Sequence, residues 1–161
     1  MILLEKLLGR NELPCKHYPT LLAGTSAGAL NAGLFATGAD IATALDFYDE
    51  WLYKIFNRNW TWPVVARSKY SGDGIDECLQ TVFGSKLLRE LEVPLLVCSY
   101  STCRNKAVYF KSWAAPYDTF TVADVLRASM AAPTYFPPKP IYDTELGMVD
   151  IFVDGGLEWI F

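Results

Sequence analysis

Gly24-Thr25-Ser26-Ala27-Gly28 is the segment of this chain whose residue types and spacing most plainly permit chemistry. A serine hydroxyl is a poor nucleophile until it is exposed, set beside a base and faced with donors for the developing oxyanion. A G-x-S-x-G turn between a strand and a helix meets the first demand. Gly24 and Gly28 omit side chains where the two elements are expected to crowd, and Ser26 stands on the sharp turn between them. The helix that follows aims its N-terminus at the reaction centre, so backbone N–H groups, that of Ala27 first, can donate to an oxyanion. The same five-residue pattern also arises by chance in strand-to-helix turns, so a base must be found elsewhere.

An α/β-hydrolase presents serine, then a carboxylate, then histidine in chain order. This chain has one histidine, His17, nine positions before Ser26 in a loop between Pro14 and Pro19, and it reads as an ordinary loop residue. A desolvated carboxylate can take the hydroxyl proton instead. Asp154 is the candidate: it ends an apolar run and is followed by Gly155 and Gly156, which permit close approach of backbone and substrate. Taken alone, Asp154-Gly155 reads equally as a plain Asp-Gly turn.

Regular elements must hold these two points together. Thr20–Ala23 is a short apolar run entering the glycine turn, and Ala27–Thr37, rich in Ala, Leu and Gly, is its helix. Ile41, Ala44, Leu45, Tyr48, Leu52, Ile55 and Phe56 mark one apolar stripe at helical period. Asn57–Tyr70 reads as a loop. Its Trp60 and Trp62 suit either a lipid interface or packing on the core. Asp73–Phe83 reads as a helix stopped by Gly84, and Pro94–Tyr100 as a strand near the sheet centre. Ala107–Phe110 is a further strand, and Thr121 with Asp124 starts a helix running through Ala128. The prolines of Ala131–Pro138 exclude regular structure there, and Val149–Val153 is the strand that delivers Asp154. Helices alternating with short apolar strands predict an α/β domain with a mostly parallel sheet. Leu3, Leu4, Leu7 and Leu8, with Gly9 beyond, read as the end of a helix whose beginning is not in the sequence, so Met1 is expected to be an internal residue of a longer protein.

Bulk properties agree with one globular domain over 1–161. Hydrophobic residues are 52% and charged residues 20% of the chain, too apolar for disorder. A net charge of −4, with scattered Lys and Arg, offers nucleic acid no footprint. No run approaches the ~20 apolar residues of a spanning helix, and no signal peptide is legible, so a cytoplasmic protein is expected. Cys15, Cys78, Cys98 and Cys103 are too dispersed for a metal site and read as reduced thiols, mostly buried.

Gly24–Gly28, Tyr70-Ser71-Gly72-Asp73-Gly74, Ala128-Ser129-Met130-Ala131-Ala132-Pro133-Thr134-Tyr135-Phe136-Pro137-Pro138 and Asp154-Gly155-Gly156 together resemble the patatin-like phospholipases, in order and at compatible spacing. The resemblance implies a three-layer α/β/α sandwich with a mostly parallel central sheet, truncated at both ends. It also implies a lipid acyl hydrolase in which Ser26 attacks an ester carbonyl, Asp154 acts as base and water releases the acyl group. Gly24, Thr25, Ala27 and Gly28 shape the elbow, and Gly155 and Gly156 the second motif. No cofactor or metal is implied. The implied partners are a lipid substrate and, peripherally, a membrane or lipid-droplet surface. Family members carry an Asp-Gly-Gly-Gly-x-Arg-Gly oxyanion loop before the first helix, and this chain opens inside that helix. The alternative reading is therefore a patatin-fold lipid-binding or interaction module without turnover, and a Ser-His-Asp esterase using His17 ranks last.

Overall fold

The computed structural model describes residues 19–56, 68–143 and 147–159. The expected Leu3–Leu8 helix, His17, Cys15, Trp60 and Trp62 lie outside them. Strand β1 is Leu22–Thr25 and helix α1 is Ala27–Ala36, as the glycine turn requires. Helix α2, Ile41–Ile55, begins at Asp40, whose carboxylate accepts the Thr43 N–H at 2.7 Å. Its buried stripe is Ile41, Ala44, Phe47, Trp51 and Ile55, whereas Leu45 and Leu52 are each 50% exposed. The stripe is rotated from the expected one because the large rings of Phe47 and Trp51 gain more by burial than the two leucines.

Helix α3 is Asp73–Phe83, and it ends at Gly84 in the left-handed region, φ 53°. Strands β2, Leu95–Ser101, and β3, Lys106–Lys111, form a hairpin. Helix α4, Val122–Ser129, starts as expected: the Thr121 hydroxyl accepts the Asp124 N–H at 3.1 Å and donates to the Asp124 carboxylate at 2.8 Å. Strand β5 is Met148–Asp154. Between them lies β4, Lys139–Asp143, which the sequence reading did not anticipate. Pro137, Pro138 and Pro140 argue against a strand, but β4 pairs only with β5 at the end of the sheet, where a missing N–H costs no ladder bond.

The mixed α/β architecture holds, but the expectation of a mostly parallel sheet does not. Among the described residues β1 and β2 are the one parallel pair; β2–β3, β2–β5 and β4–β5 are antiparallel. Connection length explains the difference. Three helices separate β1 from β2, enough for a parallel crossover, while only four residues separate β2 from β3 and β4 from β5, too few for one.

Strand β2 organises the sheet. β3 occupies one edge of it from Leu96 to Ser101. The other edge is shared, with β1 pairing to Leu95–Cys98 and β5 to Ser99–Ser101. Directly paired residues share a face, so Leu95, Val97, Val108, Phe110 and Phe152 lie together, and inward residues of all four helices join them in one core. The opposite face carries Tyr109, Tyr142, Val149 and Ile151, all exposed.

At the far end of β2 a buried polar knot ties the two hairpins. The Ser101 hydroxyl lies 2.8 Å from both Asp150 carboxylate oxygens, Arg104 Nε is 3.1 Å from Asp150 Oδ2, and the Arg104 guanidinium pairs with Asp143. Both carboxylates are fully buried. Arg104→Met is expected to lower unfolding free energy by about 3–5 kcal/mol, because it leaves buried carboxylates without their cation. Urea denaturation measures this, and a loss below about 1 kcal/mol would show that the knot is not a structural support.

Candidate active site

Ser26 follows β1 directly and adopts φ 56°, ψ −129°, a region that costs a non-glycine residue about 1–3 kcal/mol. The peptide groups on either side of it are held. Its carbonyl accepts the Ala29 N–H at 2.9 Å and the Leu30 N–H at 3.2 Å, while its N–H donates to Ser129 Oγ at 2.9 Å. The Ser26 side chain makes no capping bond to α1, so its oxygen is not spent on satisfying the helix that follows it. The N–H groups of Ala27 and Gly28 belong to the first turn, where no intrahelical acceptor exists.

The two elbow glycines differ. A Cβ on Gly24 would lie 2.4 Å from the Gly28 carbonyl carbon and oxygen and 2.5 Å from the Ala29 nitrogen, so strand and helix crowd there as expected. At Gly28 a Cβ would meet nothing within 4 Å among the described residues. The crowding expected at Gly28 is therefore not seen among the described residues, which leave the first turn of α1 open on that side.

Asp154 ends β5 and is 8% exposed. Its Oδ1 accepts the Gly156 N–H at 2.8 Å, and its own N–H donates to the Ala131 carbonyl at 3.0 Å. The Asp-Gly turn thus exists, and it orients the carboxylate. A Cβ on Gly155 would come within 2.7 Å of the Cys98 carbonyl and 2.8 Å of Cys98 Sγ, so only glycine lets the chain pass β2 this closely.

The strand pairing brings the two motifs together. Thr25 is paired with Cys98 and Asp154 with Ser99, neighbouring positions on the same edge of β2. Because β1 runs parallel and β5 antiparallel to β2, their carboxyl ends meet head to head, about one strand rise (~3.4 Å) apart along β2. Ser26 and Asp154 leave the sheet at that meeting point.

The remaining motifs brace this point. Ser129, at the end of α4, contacts Ser26, and Ala131 contacts Asp154; sequence reading assigned neither a role, since only the folded chain shows what α4 ends against. The Tyr70–Gly74 and Ala131–Pro138 segments are bonded through Lys69 N–H to the Thr134 carbonyl at 2.7 Å and Tyr70 N–H to the Tyr135 carbonyl at 2.9 Å. Arg127, buried in α4, reaches Asp76 of α3 at 2.9 Å and the Pro137 carbonyl at 3.1 Å. Burial pulls the guanidinium pKa down, opposed by Asp76. A cavity of about 220 Å³ lies beside the Tyr70–Gly74 turn, walled by Lys54, Ile55 and Glu77. Cys78 and Cys98 are buried as expected, and Cys103 is exposed. Burial pushes the Cys78 thiol up to about 12. Among the described residues no helix is long and apolar enough to cross a membrane.

The fold is thus a mixed α/β sheet with a strained serine turn at one strand end and an aspartate at the neighbouring end. The family model for patatin-like phospholipase matches residues 3–158, and the chain belongs to that family. It is 24% identical to the cGAMP-activated phospholipase of Escherichia coli (strain TW11681), covering 96% of this chain and 46% of the relative. It is 28% identical to Patatin-07 of Solanum tuberosum over 84% of this chain and 37% of the relative. The solved structure of VipD from Legionella pneumophila shares the fold, with a TM-score of 0.61 at 14% identity, over 97% of this chain and 42% of that one. The chain therefore spans less than half the length of these relatives.

The contrast between the glycines is testable. Gly24→Ala is expected to abolish cooperative folding or reduce unfolding free energy by several kcal/mol, on the order of the overpacking range and above. Gly28→Ala is expected to melt within a few degrees of wild type. Equal thermal stability of the two variants would contradict the packing described for the elbow.

Proposed function

We propose that the protein carrying this chain is a lipid acyl hydrolase that cleaves carboxylic esters through Ser26 and Asp154, with lipid presented at a membrane or lipid-droplet surface and the protein residing in the cytoplasm. The observation that carries this reading is the meeting of β1 and β5 at Cys98 and Ser99. It sets the strand ends that carry the strained serine and the buried carboxylate at neighbouring positions of β2. Membership of the patatin-like phospholipase family and the phospholipase name of the E. coli relative support the substrate class.

In the proposed reaction Asp154 accepts the Ser26 hydroxyl proton as Oγ attacks the ester carbonyl. First-turn N–H groups of α1, that of Ala27 foremost, donate to the oxyanion. Collapse of the tetrahedral intermediate expels the alcohol, which takes the proton from Asp154 and leaves the acyl group on Ser26. Water, deprotonated by Asp154, then attacks the acyl-enzyme, and Ser26 leaves with the proton as the fatty acid departs. Histidine has no part in the cycle.

In the full protein a fluorophosphonate probe is expected to modify Ser26, with Ser26→Ala unlabelled. Asp154→Asn should reduce ester turnover by about 10²- to 10⁴-fold, the usual contribution of a general base, with an unchanged melting temperature. His17→Ala should retain activity. A folded full protein that binds lipid vesicles but is neither labelled nor active would favour the binding-module reading, and full activity of Asp154→Asn would remove the dyad.

A further inference from the structure

We propose that Ser129 is a positioning residue that holds the nucleophile elbow at its strained geometry; this rests on the reading of Ser26 as nucleophile. Ser129 is fully buried at the last position of α4. Its oxygen accepts the Ser26 N–H at 2.9 Å, and its hydroxyl proton is donated to the Cys98 carbonyl at 2.6 Å. A hydroxyl has one proton to give. With that proton committed to β2, the lone pair facing Ser26 is fixed in direction, and the side chain is a rigid strut between the strand and the elbow.

The strut acts where the strain is. Ser26 has φ 56°, and its carbonyl side is already held by the Ala29 and Leu30 amides. Ser129 holds the amide side, so neither peptide can swing to relax φ. Two residues on, the Ala131 carbonyl holds the Asp154 N–H at 3.0 Å. The end of α4 thus fixes both members of the proposed dyad against one rigid segment. A serine kept only for its small size would not need partners 103 and 31 residues away in the chain, each within 3 Å.

A displacement of about 1 Å at a reacting group can cost roughly 100-fold in rate. In the full protein, Ser129→Ala is expected to lower both kcat and the second-order rate of fluorophosphonate labelling at Ser26 by about 10- to 100-fold per folded molecule, with KM within about twofold. Folded fraction is taken from thermal melts, so loss of protein is separated from loss of reactivity. Should Ser129→Ala not fold, Ser129→Cys, whose longer bond and weaker acceptor loosen the strut, is read on the same scale. A labelling rate per folded molecule equal to wild type in the folded variant overturns the positioning role while leaving Ser26 as nucleophile. Wild-type protein that is folded yet unlabelled at Ser26 overturns the underlying reading itself.

Discussion

A β-strand has two edges, and three strands claim those of β2. β3 takes one edge entirely, so β1 and β5 must divide the other, one ending at Cys98 and the other at Ser99. Neither can extend without displacing its neighbour. Both chains must leave the sheet abruptly, and each departure shows the cost. Ser26 accepts a left-handed backbone that disfavours a side chain, and Gly155 passes so near Cys98 that a Cβ is excluded. The sharp turn at the serine and the Asp-Gly-Gly turn are two consequences of one crowded edge.

What keeps the crowded point from relaxing is the polar packing behind it. Ser129 ties the elbow to β2, and the Ala131 carbonyl ties the end of β5 to the same segment. The Ser99 hydroxyl donates to the Val153 carbonyl at 2.7 Å, adding a side-chain bond between β2 and β5 just beside Asp154. α4 is itself anchored: Leu126 Cδ1 packs 2.7 Å from where a Cβ on Gly33 of α1 would stand, and Arg127 grips α3 and the Pro137 carbonyl. Ser129 and the Ser99 hydroxyl are each bonded across to another element, so moving the elbow or the end of β5 requires breaking several bonds in low dielectric.

Much of this was legible in the sequence because it is local. The α1, α3 and α4 boundaries follow from the glycine turn, Gly84 and the Thr121–Asp124 cap, and β2 and β5 from their apolar runs. The sequence singles out Ser26 and Asp154 as candidates, but not the strand arrangement that brings their strand ends together, since that depends on two strands sharing an edge of a third. Strand sense was misjudged because alternating helices and strands suggest parallel crossovers, and the hairpins β2–β3 and β4–β5 carry no strong turn signature. β4 was hidden by prolines that an edge strand tolerates. The apolar residues of α2 lie on more than one side of the helix, so periodicity alone does not choose the stripe through Phe47 and Trp51 over the one through Leu45 and Leu52. Ser129 was invisible as a functional candidate because a buried serine inside a helix end has no pattern of its own; only its two partners, distant in sequence, give it meaning.

Among the described residues the space beside Gly28 is open, and this bears on how the proposed chemistry is arranged. The elbow needs crowding on one side and room on the other: crowding to hold Ser26 in place, room for an ester and its oxyanion to approach. A Cβ on Gly24 would lie 2.4 Å from the helix backbone, whereas one on Gly28 would meet nothing within 4 Å among the described residues. The tight contact therefore sits beneath the turn and the opening at the first turn of α1, where the Ala27 and Gly28 amides lack intrahelical acceptors and the helix dipole favours negative charge. Asp154 arrives from the opposite strand end, with one carboxylate oxygen held by the Gly156 amide. On the proposed reading, base and oxyanion donors come from two separate strand ends that meet at β2. A dyad then needs only those two ends in register, with no third residue to orient an imidazole, so β2 takes the orienting part that a third side chain plays in a histidine triad.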